Sequence, residues 1–94
     1  MKIRWSPTAV TDLESIRDYI ACDSPTAARN VANRIKDSVN RLISFPLSGR
    51  AGRVPETCEL VIHGTSYIAA YTIQDSEVRI ASLLHGKQRW PESF

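Results

Sequence analysis

Apolar residues at Ala9, Leu13, Ile16 and Ile20 recur at i, i+4, i+7 and i+11, the rhythm of one face of an α-helix. Ser6-Pro7 predicts where that helix starts: a serine hydroxyl accepts from free N–H groups, and proline suits the first turn. Asp12 and Glu14 sit early, where the helix dipole favours anions, and the run stops near Cys22-Asp23. Ser24-Pro25 repeats the start signal almost at once. Ala28, Val31, Ala32, Ile35, Val39 and Leu42 then share one face, with Arg29, Arg34, Lys36 and Asp37 mostly off it. Phe45-Pro46 ends this second helix, because the residue before a proline is pushed out of helical geometry. Helices joined by so short a connection fold back as an antiparallel hairpin.

The remaining pattern has period two. Lys2 to Trp5 reads as a short extended strand, and Pro46 to Thr57 as a turn-rich loop. Leu60 and Ile62 alternate with Glu59 and His63 in a strand ended by Gly64-Thr65-Ser66. Tyr67 to Ile73 is apolar on both faces, as a central strand would be. Gln74-Asp75-Ser76 is a hairpin connection before a last strand, Val78 to Leu84. Strands so closely spaced pair antiparallel. The expected architecture is α+β, in the order β-α-α-β-β-β, with residues 1–94 as one domain. The helical hairpin packs on one face of a small twisted antiparallel sheet, with the first strand at its edge. The other, concave face is left open for function.

Composition changes this picture little. The chain is 43% hydrophobic and 23% charged, ordinary values for a globular protein. Its apolar runs are too short to cross a bilayer, and the N-terminus lacks the apolar core of a signal peptide, so a cytoplasmic setting is expected. Residues 1–45 carry seven basic and five acidic side chains, and residues 46–94 five of each. In the second half the positives gather at Arg50/Arg53 and Lys87/Arg89, with Arg79 alone, a weak footprint for nucleic acid. Cys22 and Cys58 fit neither a metal motif nor a disulfide framework, and His63 and His85 add no ligand spacing. No metal or cofactor is expected, and Cys22 reads as a small packing residue.

Several of these pieces together resemble the toxins of the RelE/ParE superfamily, found in type II toxin–antitoxin (plasmid stabilisation) modules. Trp5-Ser6-Pro7, Asp12-Leu13, Ile16…Tyr19-Ile20 and Pro25…Ala27-Ala28 carry the resemblance in the helical half. Phe45-Pro46…Gly49-Arg50…Gly52-Arg53-Val54, Glu59-Leu60-Val61, Tyr67-Ile68…Tyr71 and Leu84-His85-Gly86…Trp90-Pro91 carry it in the strands. The resemblance implies a toxin neutralised by a cognate antitoxin, whose disordered segment folds as it wraps the toxin. It also implies that the antitoxin supplies DNA binding when the pair represses its operon. One branch of the superfamily cleaves messenger RNA on the ribosome. Another binds DNA gyrase without chemistry of its own.

Metal-free RNA cleavage needs a base for the 2′-OH, a cation for the phosphorane and an acid for the leaving oxygen. Glu59 and His85 are the candidate base and acid, and Arg53, Arg79, Lys87 and Arg89 the candidate cations. Strict alternation puts Arg79, Ala81, Leu83 and His85 on one face. Tyr67 and Tyr71 share a face and are candidates for base stacking, and Arg50 and Arg53 lie in a glycine-rich loop suited to target binding. Each has a structural alternative: a turn residue at His85, core packing for the tyrosines, an ion pair with Glu77 or Glu59 for Arg79, and a cap on the core for Trp90. The resemblance also marks two departures, since many members carry a basic residue where Cys58 stands and an arginine where Thr72 follows Tyr71. Messenger RNA cleavage is the first reading, motivated by His85-Gly-Lys87-Gln-Arg89. The alternatives are a gyrase-binding inhibitor and an inactive member that only binds antitoxin.

Overall fold

The computed structural model describes residues 1–94. Strand β1 (Lys2–Trp5) leads into α1 (Pro7–Ala21), and α2 (Pro25–Asn40) continues as a 3-10 turn over Arg41–Ile43. The sheet strands that follow are β2 (Arg50–Ala51), β3 (Cys58–Val61), β4 (Tyr67–Gln74) and β5 (Glu77–His85). Their order across the sheet is β1-β5-β4-β3-β2. The pairings from β2 to β5 are antiparallel, whereas β1 runs parallel to β5 and makes the sheet mixed. The helical hairpin lies between β1 and the other strands in sequence, which is the crossover that a parallel pair requires.

Both helix starts follow the serine–proline signals. Ser6 Oγ accepts from Ala9 N at 3.0 Å and Ser24 Oγ from Ala27 N at 3.1 Å. Ser6 does more than cap α1: its hydroxyl donates to Ala81 O at 2.8 Å and its N–H to Ile80 O at 2.9 Å. This stitches the helix start to β5 where β1 ends. Asp12 lies beyond the first turn, so the dipole role expected for it gives way to another. Its Oδ2 accepts from Ser82 Oγ at 2.7 Å and Leu83 N at 3.0 Å, closing the edge of β5 that β1 leaves uncovered. α2 ends at Asn40, short of the Phe45-Pro46 stop, because its last turn tightens from Arg41.

The core lies between helices and sheet. Ala9, Ile16, Ile35, Val39 and Leu42 meet Ile62, Ala69, Tyr71, Val78, Ile80 and Leu83 there, with Leu13, Ile20 and Val31 packed around them. Cys22 is exposed at the end of α1, with its thiol directed at Asp18 O, which corrects its expected packing role. The β4–β5 hairpin turns through Asp75 (φ 52°) and Ser76 (φ 60°), the left-handed pair that a two-residue hairpin loop demands. No helix is long and apolar enough to cross a membrane.

Candidate functional site

The face of the sheet turned away from the helices is only partly open. The loop after α2 folds over it, burying Val54 and carrying the short strand β2. That strand has no alternating pattern to announce it, since two residues are too few to show one. Tyr71 holds the root of the loop from the helix side. Its hydroxyl donates to Pro46 O at 2.9 Å and accepts from Gly49 N at 3.0 Å. A Cβ at Gly49 would meet that hydroxyl at 2.5 Å and Glu59 O at 2.8 Å, so this close approach requires glycine. Tyr71 is fully buried, which excludes base stacking. Burial, with the Cys58 thiol adding to it, raises its hydroxyl above the ordinary tyrosine value against the opposing bond from Gly49.

Glu59 shows why the loop takes this course. Although it alternates with apolar residues on a short strand, its carboxylate is only 2% exposed. Oε1 accepts from Arg50 Nη2 at 3.0 Å and Oε2 from Arg53 Nε at 3.1 Å, while the backbone N–H of Arg53 donates to Oε2 at 2.7 Å. Burial alone would push this carboxyl up, but the Arg53 backbone bond and the two guanidinium groups hold it below the ordinary carboxylate value. Every acceptor direction of Glu59 is thereby engaged inside the protein. The arginines are different, because their outer edges stay in solvent, with side chains 57% and 44% exposed. Arg53 also lies over the Trp90 ring at 3.8 Å, a cation–π contact that fixes the closing segment to the loop. Trp90 therefore acts beyond the core-capping role expected for it, and nothing in the sequence spacing links it to Arg53.

The remaining candidates divide between two places. Arg79 donates to Gln74 Oε1 at 2.7 Å and pairs with Asp75 at 3.2 Å, with Glu77 at 3.7 Å. Glu77 is shared with Arg4 at 3.0 Å. His85 stands at the other end of β5, about 20 Å away at a strand's rise per residue. The two do not share a face either. Ala70 pairs with Ser82 but Tyr71 with Ile80, so Ala81 is an extra residue and the alternation reverses across it. Val78, Ile80 and Leu83 all reach the core, which gives His85 the helix-side parity of Leu83 and leaves Arg79 on the opposite face. The shift of apolar positions from 78 and 80 to 83 was the signal for this bulge.

His85 meets Tyr67 edge to face, ring centroids 5.6 Å apart. Its Nδ1 accepts from Lys87 N at 3.1 Å, and its backbone carbonyl accepts from the Trp90 indole N–H at 3.3 Å. These contacts tie His85 to the backbone and indole of the closing loop. Lys87 and Arg89 are exposed beside it in the closing loop. Cys58 is half-buried among core residues on the helix side, opposite Tyr71. A basic residue there would not join Arg53. Thr72 sits on the other face, where a groove of about 870 Å³ runs past Trp5, Thr72, Arg79, Ala81, Pro91 and Phe94. No group of acidic, histidine or cysteine side chains is arranged to hold a metal ion.

Comparison with known proteins fits this architecture. Residues 3–90 match the model of the ParE toxin of the type II toxin–antitoxin system parDE. The chain is 41% identical over 91 residues to the protein Y4kP of Sinorhizobium fredii, covering 97% of this chain and 94% of that one. It is 32% identical over 84 residues to toxin RelE2 of Caulobacter vibrioides, covering 89% and 93%. A solved chain from the chromosomal ParDE TA system of P. aeruginosa has the same fold, with a TM-score of 0.81 at 24% identity, covering 90% of this chain and 95% of that one. The capped helical hairpin, the mixed five-stranded sheet and the family match across nearly the whole chain lead to one conclusion: this protein is a member of the ParE toxin family, the toxin of a type II toxin–antitoxin system.

Proposed function

We propose that this toxin acts without chemistry of its own, by binding DNA gyrase, and is released from that role by its antitoxin. The observation that carries the reading is the dispersal of the candidate catalytic groups. Glu59 is buried and fully hydrogen-bonded, Arg79 is held by hydrogen bonds to Gln74 and Asp75 at one end of β5, and His85 lies at the other end on the opposite parity. A cleavage site needs base, cation and acid within hydrogen-bond reach of one phosphate. A binding surface needs only charged and aromatic groups held rigidly, as Arg50, Arg53 and Trp90 are. Loss of the expected cations at Cys58 and Thr72 costs such a surface little, whereas removing a key donor from a catalytic site costs about 2.7–4 kcal/mol.

Induced expression without antitoxin, with pulse labelling of DNA and protein synthesis, tests the reading. An early fall in DNA synthesis is expected, and toxicity should survive His85→Ala and Arg79→Ala. An early fall in protein synthesis that either substitution abolishes would return the protein to messenger RNA cleavage. Harmless expression would leave an inactive member that only binds antitoxin.

A further inference from the structure

The ion pairs of the molecule all lie in the sheet and its covering loop, on Arg4, Arg50, Arg53 and Arg79. The outer face of α2 and its closing turn has none, although it is rich in cations. Ala28, Ala32, Ile35 and Val39 turn one side of the helix into the core, so the opposite side is left to solvent. Its exposed positions fall into two rows at the helical spacing of three or four residues. One row reads Arg29, Asn33, Lys36 and Asn40, and the row beside it Asn30, Arg34, Asp37 and Arg41. Asp37 is the single carboxylate among them and pairs with neither Arg34 nor Arg41. The one side-chain hydrogen bond made by either row is from Arg41 Nη2 to Ser38 Oγ at 3.2 Å.

Arg29, Arg34, Lys36 and Arg41 against Asp37 exceed the formal charge of the whole chain, +2, so the rest of the molecule is slightly acidic. The flanks of the helix keep the same sign. Toward α1, Arg17 joins Arg29 and Lys36 against Asp18, and on the other side His63 stands by Arg34 and Arg41. A face kept only for solubility mixes both signs, whereas unpaired cations separated by asparagine amides form a field that a polyanion completes. The cations within each row are two helical turns apart, about 10 Å. Duplex DNA carries a phosphate for every ~1.7 Å of its axis, so both rows meet phosphates in any sequence, and the amides between them reach phosphate or sugar oxygens. Single-stranded nucleic acids are gripped by aromatic rings on which their bases stack, and no ring stands on this face. A second copy laid on the same face would set cation against cation.

We infer that the outer face of α2 binds the phosphate backbone of duplex DNA without reading its sequence. This face lies on the helix side of the sheet, away from Arg50, Arg53 and Trp90, and the inference does not depend on gyrase being the target. The test uses full-length toxin, separated from its co-expressed antitoxin in denaturant and refolded, with a short fluorescent DNA duplex of mixed sequence as the probe. Anisotropy titrations between about 50 and 200 mM salt are expected to show an affinity that falls about 100-fold, a log–log slope near −3.6 for four phosphate contacts. Arg29→Gln with Lys36→Gln should reduce that slope to about −1.8, and Arg34→Gln with Arg41→Gln should do the same. All four positions are exposed, so both double variants fold, while Lys2→Gln on β1 leaves the slope unchanged. No binding at the lowest salt, or a slope that neither double variant alters, would overturn the inference. So would tighter binding of a single-stranded RNA of the same length, which would make RNA the ligand, or a toxin dimer that the double variants split without changing DNA affinity. Duplex binding by a toxin that leaves gyrase uninhibited would refute only the gyrase reading, and gyrase inhibition by a toxin that binds no duplex would refute only this one.

Discussion

Glu59 is the residue on which the loop depends, and its substitution separates structural from catalytic roles. Glu59→Gln keeps the shape but turns an acceptor into a partial donor beside two guanidinium groups, and is expected to cost about 1–3 kcal/mol. The arginines can turn to solvent, so the loss stays below that of breaking a fully buried pair, about 3–5 kcal/mol. Urea unfolding measures it. The pH dependence has a definite sign. The folded carboxyl titrates below its ordinary value of 4.5, so its contribution is complete above that pH and is lost as the pH falls through the lower folded value. The parent should lose stability in acid where Glu59→Gln does not, and parallel acid limbs in the two proteins would remove Glu59 from this role. Tyr71→Phe should cost a further about 1–3 kcal/mol by orphaning Pro46 O and Gly49 N, with hydrogen exchange at Gly49 as its local readout.

Among the elements, the start of α1 is the join that a single substitution tests best. Ser6→Ala removes the cap on α1 and the bond to Ala81 O together. It is expected to cost about 2 kcal/mol, at the upper end for a helix cap, and a loss under about 0.5 kcal/mol in thermal unfolding would show that the link to β5 carries no weight. The helices were legible in the sequence because the serine–proline starts and the apolar faces are local signals set by neighbouring residues. The span of β1, the hairpin at Asp75-Ser76 and the central place of β4 were legible for the same reason. The direction of β1 was not, since a strand's partner lies outside its own pattern. The bulge at Ala81 was written in the shift of apolar positions, but strict alternation hid it and put Arg79 and His85 on one face. Arg50, Arg53 and Glu59 were legible as functional candidates by type and loop position. Their mutual pairing, and the stacking of Arg53 on Trp90, depend on how a glycine-rich loop closes, and no periodicity encodes that.

At the scale of the whole molecule, the fold separates two kinds of surface. The loop over the sheet carries rigid, outward-facing arginines and an aromatic ring, held from beneath by Glu59 and Tyr71. The β3 edge leaves the main-chain groups of Val61 without a backbone partner, near the exposed side chains of Phe45 and Leu47. A chain of 94 residues with one thin core leaves little room to bury both surfaces. The dispersal of Arg79, His85 and Glu59 over three environments is the feature that most constrains the activity. It supports the proposal that the toxin acts as a rigid ligand for a large target. The most direct test adds the purified toxin to DNA gyrase and relaxed plasmid, and follows supercoiling and gyrase-dependent DNA cleavage. Inhibited supercoiling that is unchanged by His85→Ala and weakened by Arg53→Ala is the predicted result. Unimpaired gyrase, together with His85-dependent cutting of messenger RNA on ribosomes, would contradict it.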